Sequence, residues 1–148
     1  MNVKVLCVGR LKEKFYTEAC NEFKKRISRY ADIEIIEVND EKAPEQLSPA
    51  LMEQVKDAEG KRMMEKVLPG EYLIAMDLKG KELTSPELSQ LMEEVMNSGK
   101  SKISFAVGGS LGLSAEILQR ADKGISFGKP TFSHQIFRIM LLEQIYRA

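Results

Sequence analysis

Cysteine, histidine and tryptophan are scarce in this 148-residue chain, which holds two cysteines, one histidine and no tryptophan. Cys7 and Cys20 stand thirteen positions apart with no C-x-x-C around them, a spacing that supports neither a zinc site nor a disulfide framework. A single histidine leaves too few donors for a protein-built metal centre, so no metal is expected. A Cys–His nucleophile pair is disfavoured because Cys7 lies inside an apolar strand-like run. No apolar run approaches the roughly 20 residues of a membrane span, so no membrane partner is expected. The opening residues MNVKVLCVGR lack a basic leader followed by a longer apolar segment, which predicts a cytoplasmic protein without a signal peptide. Two nucleotide signatures are also missing. Without G-x-G-x-x-G a standard dinucleotide site is disfavoured, and without G-x-x-x-x-G-K-[ST] a P-loop is excluded.

What is present is ordinary globular composition, 43% hydrophobic and 30% charged. With no linker, repeat or low-complexity tract, one domain over residues 1–148 is expected. The formal net charge is zero, but it is unevenly distributed. Residues 1–31 carry a balance of +5, residues 32–98 one of −9, and residues 119–148 one of +3. Such a chain binds a polyanion if its basic ends meet in space, and otherwise carries merely a solvated charged surface.

The apolar pattern alternates between two periods. Val3–Val8, Ile33–Val38, Tyr72–Met76, Ile103–Val107 and Ile125–Phe127 read as strands. Between them the spacing i, i+3, i+4, i+7 predicts helices over Glu13–Tyr30, from a Ser48 cap to about Leu68, from Ser85 to about Asn97, over Ser114–Ala121, and from Ser133 to the end. Asn39–Leu47, with Pro44, reads as a polar loop. This is an α/β pattern that implies a mostly parallel sheet with helices on both faces. Ligands of such sheets bind at the carboxyl ends of the strands. Three glycine-containing loops fall there: Asp77–Lys81, Gly108–Leu113 and Phe127–Thr131. They point to a ligand pocket, although glycine also serves βα turns for geometry alone. His134 taken by itself reads as a surface or capping residue. Beside the Gly128-Lys129-Pro130 loop, with Arg138 one turn later, both become candidates for the reacting site.

Ile74–Lys81, Val107–Leu113 and Ser126–Arg138 resemble three motifs of the large-subunit ribosomal RNA methyltransferases of the SPOUT superfamily. The similarity extends through Gly9–Lys14, Asp40–Glu45 and Glu143–Ala148, and so covers the whole chain. The resemblance implies a C-terminal trefoil knot, S-adenosylmethionine as methyl donor, and N3 of a pseudouridine in 23S rRNA as acceptor. It places Met76, Gly108, Phe127, Gly128, Lys129, Pro130, Thr131 and Phe132 at the donor. It also implies a homodimer formed partly by the last helix, whose apolar residues run around most of its circumference, and a tail beyond Ala148 lying near the acceptor base. On this reading His134 contacts the base or relays its proton, and Arg138 holds a phosphate or the developing charge. Arg10, Lys12, Lys14, Lys24, Lys25, Arg26 and Arg29 would join Lys129, Arg138 and Arg147 in a composite phosphate-binding surface. The alternative is a non-catalytic RNA- or nucleotide-binding α/β module that keeps the pocket.

Overall fold

A computed structural model describes residues 1–42, 46 and 48–148, so Ala43–Glu45 of the Asp40–Glu45 motif lie outside the described residues, as do Pro44 and Leu47 of the expected loop. In chain order the elements are β1 (Asn2–Val8), α1 (Lys14–Ile27), β2 (Asp32–Val38), α2 (Pro49–Met64), β3 (Tyr72–Glu82), α3 (Ser85–Asn97), β4 (Lys102–Val107), α4 (Ala115–Arg120), β5 (Lys123–Ser126) and α5 (His134–Arg147). The five strands form one sheet in the order β2-β1-β4-β3-β5, with every pairing parallel. That is the α/β arrangement the alternating pattern predicts.

Side chains alternate across the sheet because successive residues of a strand face opposite ways. Val3, Val5 and Cys7 of β1 join Ile103, Phe105 and Val107 of β4 in the larger core, beneath α1, α3 and α5. Leu6 and Val8 join Leu73, Ala75 and Ala106 in the smaller core, where Met63 of α2 and Ile117 of α4 cover the other face. Both faces are therefore covered, which is why the strands read as nearly continuous apolar runs. Side-chain caps start most of the helices. Ser48, Ser114 and Ser133 each accept the backbone N–H of the third residue of the helix they precede. Thr84, one residue before the expected start, caps α3 in a reciprocal box with Glu87.

Two boundaries depart from the sequence reading. The helix α2 ends at Met64, not near Leu68. The next amides fold into tighter turns, and the Lys66 carbonyl accepts the Lys4 ammonium at 2.6 Å, so a tertiary contact ends the helix. The expected loop Asp77–Lys81 instead lies within β3. Ile125 of β5 pairs with both Met76 and Lys81, so residues 77–80 are looped out of register between two pairings with one residue. Gly80 closes this bulge against the next strand. A Cβ there would stand 2.6 Å from the Gly124 carbonyl carbon and the Ile125 nitrogen.

Beneath the smaller core lies a buried charge pair. Lys4 donates to Glu71 Oε1 at 2.6 Å, and Ser104 donates to Glu71 Oε2 at 2.6 Å. Burial pushes the Glu71 carboxyl up, but the hydrogen bonds from Lys4 and Ser104 and the lysine's charge outweigh it and hold the group below the usual carboxylate range. Removing one member strands the others. Glu71→Leu should cost about 3–5 kcal/mol, a fall in Tm of roughly 6–20 °C, because Lys4 is left buried without a counter-charge. The double variant Lys4→Met/Glu71→Leu should regain much of that loss, and thermal unfolding followed by circular dichroism checks both. A single variant as stable as the unmodified chain would contradict the assignment. Glu71's stabilising effect is present above the ordinary glutamate range and is lost as pH falls through its depressed value.

Candidate functional site

A cavity of about 580 Å³ opens at the carboxyl ends of β3, β4 and β5. That volume lies within the usual range for small-molecule sites. Three segments wall it: Met76–Leu78, Val107–Gly112, and Ile125–Phe137 apart from Lys129 and Ile136. The bulge in β3 places Asp77 and Leu78 at the cavity. The glycine turn after β4 folds back on itself, with Gly109 and Gly112 bridged and the Gly112 amide donating to the Gly109 carbonyl at 3.1 Å. After β5, Ser126 Oγ accepts the Gly128 amide at 3.1 Å and fixes the turn into the next segment. Phe127 stacks on Phe137 with ring centroids 5.1 Å apart, giving the cavity an aromatic wall.

Most of the residues proposed for the donor do meet here. Met76, Gly108, Phe127, Gly128, Pro130, Thr131 and Phe132 all line the cavity, as does His134. Lys129 does not; it is exposed and outside the lining. Arg138 requires a correction of geometry. It is only 2% exposed and lies outside the lining, so it cannot receive an incoming phosphate as placed. Its guanidinium donates to Glu37 Oε2 at 2.6 Å and to the Gly9 carbonyl at 3.2 Å. Sequence reading missed Glu37, because nothing local relates residues 101 positions apart until β2 is set beside β1. Gln135 and Phe137 were also missed as lining residues. The one and three positions that separate them from His134 on α5 were the available signal.

His134 is the first residue of α5 and is partly buried. Burial lowers its imidazole below the usual histidine range, the Arg138 charge lowers it further, and Asp40 opposes both. The ring is thus neutral near pH 7 and able to accept a proton. Cys7 offers no competing nucleophile, since burial pushes its thiol up to about 12. Among the described residues no three His, Cys, Asp or Glu side chains gather as a metal site would need, and no helix is long and apolar enough to cross a membrane. The expected basic residues of α1 and the loop before it are exposed, and Arg26 lies over the rings of Phe23 and Tyr146.

Residues 1–148 match the family model described as predicted SPOUT methyltransferase. The chain is 51% identical over 148 residues to a ribosomal RNA large subunit methyltransferase H of Lactobacillus johnsonii, covering 100% of this chain and 93% of that protein. It is 50% identical over 147 residues to the protein of the same name in Enterococcus faecalis, covering 99% and 92% respectively. The protein of that name in Carboxydothermus hydrogenoformans is 49% identical over 148 residues, covering 100% and 93%.

Proposed function

Since this chain belongs to the SPOUT methyltransferase family, we propose that it transfers a methyl group from S-adenosylmethionine to N3 of a pseudouridine in 23S ribosomal RNA. The observation that carries the reading is the cavity at the ends of β3, β4 and β5, walled by the segments that resemble the family's motifs. The cavity's residues suit this donor. A flat aromatic base fits between apolar walls such as Met76, Leu111 and Phe127, and the turns around Gly108 and Gly128 present backbone amides and carbonyls for its polar edge. When bound, the donor supplies an electrophilic methyl group on a sulfonium.

The residues of the chain then have three tasks. The cavity walls hold the donor in line with an incoming base, which converts an encounter of two molecules into an oriented displacement. The same walls exclude water from the reacting centre. The third task is proton removal, because the N3–H of an imide must be lost as the N–CH3 bond forms and the sulfonium C–S bond breaks. His134 lines the cavity in its neutral form and accepts that proton. The exposed cations of α1 and the preceding loop, with Arg147, hold the RNA backbone.

The reading carries several further parts: one methyltransferase domain across residues 1–148, a C-terminal trefoil knot, action in the cytoplasm and a homodimer. Support for the dimer comes from α5. Leu141, Leu142 and Ile145 are buried within the protomer, yet Ile136 beside the cavity remains 43% exposed and available to a second copy. The test incubates the purified protein with ribosomes and donor carrying an isotopic methyl label. Label is expected on one pseudouridine of 23S rRNA by mass spectrometry, and light scattering of the same preparation should give twice the chain mass. Donor binding without any transfer to ribosomal RNA would refute the enzyme reading, and a monomer active in transfer would refute the dimer.

A further inference from the structure

We infer that Glu37 and Arg138 are positioning residues, an exposed carboxylate and a buried guanidinium that together clamp α5 to the far half of the sheet and hold His134 in the cavity wall. Arg138 sits where a helix facing the larger core would ordinarily bury an aliphatic side chain, as α5 does with Leu141 and Leu142. A buried guanidinium is costly, and its Nε is fully enclosed with no hydrogen-bond partner. Packing alone therefore does not account for an arginine here.

Its two terminal nitrogens reach the ends of different strands. One donates to Glu37 in β2 and the other to the carbonyl of Gly9, immediately after β1. Both strands lie on the side of β4 away from β3 and β5, from whose ends the cavity opens. The clamp thus fixes the first turns of α5 against the half of the sheet that contributes no wall to the cavity. His134 lies four residues before Arg138, on the same face of the helix, so a rotation that released Arg138 would carry His134 with it. Gln135 and Phe137, both lining residues, would move as well.

The clamp also shapes the field at the imidazole. The charged groups acting on His134 are Arg138, from its own helix, and Asp40, from the segment after β2. Cys7 and Cys20 lie near the same guanidinium, but burial raises both thiols, so neither supplies a counter-charge. Glu37 is the paired anion, and it limits how strongly Arg138 opposes a proton on His134.

The role of His134 rests on the methyl-transfer reading, but the clamp can be tested without RNA. Because His134 is the only histidine, its ring gives one unambiguous titration by NMR. In Arg138→Leu the His134 midpoint should rise, since a like charge is gone. In Glu37→Gln it should fall, since the guanidinium loses its counter-charge. In both, calorimetry should show S-adenosylmethionine binding weakened about tenfold or more, because the wall is no longer held. Arg138→Lys, which keeps the charge but not the two-pronged donor, should restore the titration more than the affinity. A folded Arg138→Leu protein with unaltered titration and affinity would overturn the clamp. If that variant does not fold, an unaltered His134 midpoint in Glu37→Gln overturns it equally. A His134 shift with unaltered affinity would mean that Arg138 acts through its charge alone and would equally overturn the clamp, whereas failure of the unmodified chain to bind donor would defeat the donor-site reading.

Discussion

Gly108→Ala is expected to weaken S-adenosylmethionine binding by about a hundredfold or more, equivalent to roughly 2.8 kcal/mol. The cause lies in the turn itself. A Cβ on Gly108 would stand 2.6 Å from the Gly112 carbonyl carbon, 2.8 Å from its oxygen and 2.9 Å from the Leu113 nitrogen. All three are backbone atoms of the turn that lines the cavity, so no side chain can swing aside. One methyl group therefore suffices to spread the turn, and the larger valine should do no less. Calorimetry on Gly108→Ala measures the loss. Gly70→Ala is the control, since a Cβ there meets nothing within 4 Å and Gly70 lies outside the cavity. Donor binding by Gly108→Ala equal to that of the control would show that the turn does not form the donor site.

His134→Ala should lower the turnover of methyl transfer by about 10²–10⁴-fold, the usual range for losing a general base. Donor affinity should change far less, because the aromatic and glycine walls remain. The pH profile separates a base from a spacer. With His134 present, turnover should decline on the acid side as the ring gains its proton, with a midpoint below that of a free imidazole, since burial and Arg138 both oppose the charge. In His134→Ala that acid limb should disappear. A variant that loses activity yet keeps the same limb would mean that the titrating group lies elsewhere. Near-normal turnover would mean that alignment of donor and base alone carries the reaction.

The order and type of all ten elements were legible, because strands buried on both faces leave apolar runs and Ser48, Ser114 and Ser133 mark helix starts in the sequence. What misled was tertiary. Glu65 to Leu68 could continue a helix on local grounds, but the contact between Lys4 and the Lys66 carbonyl is invisible until β1 and α2 are neighbours. Likewise Asp77–Gly80 reads as a loop after a strand, and only the double pairing of Ile125 shows that the strand resumes at Lys81. The site followed the same division. Met76, Gly108, Phe127 and His134 could be named from motif resemblance and lie at the strand ends where α/β sheets bind ligands. The spacing of Arg138 from His134 says that the two share a helix face but not that Glu37 pairs with the second of them. Lys129 shows the converse, because membership of a motif does not turn every side chain in it toward the ligand.

The strand order also governs how the chain must assemble. Asn2 pairs with Lys102, a hundred positions away, and β1 meets β4 along five such pairs. A chain emerging from the N-terminus can close β1, α1 and β2 early, since those pairings span about thirty residues. The other edge of β1 then remains bare until residue 106 has been made and β4 can slot between β1 and β3. Such long-range closure slows folding relative to helical proteins of similar size, and it leaves an apolar strand edge open to aggregation throughout the wait. The parallel sheet that brings the cavity walls together is completed later still, once β5 has been made and pairs with β3.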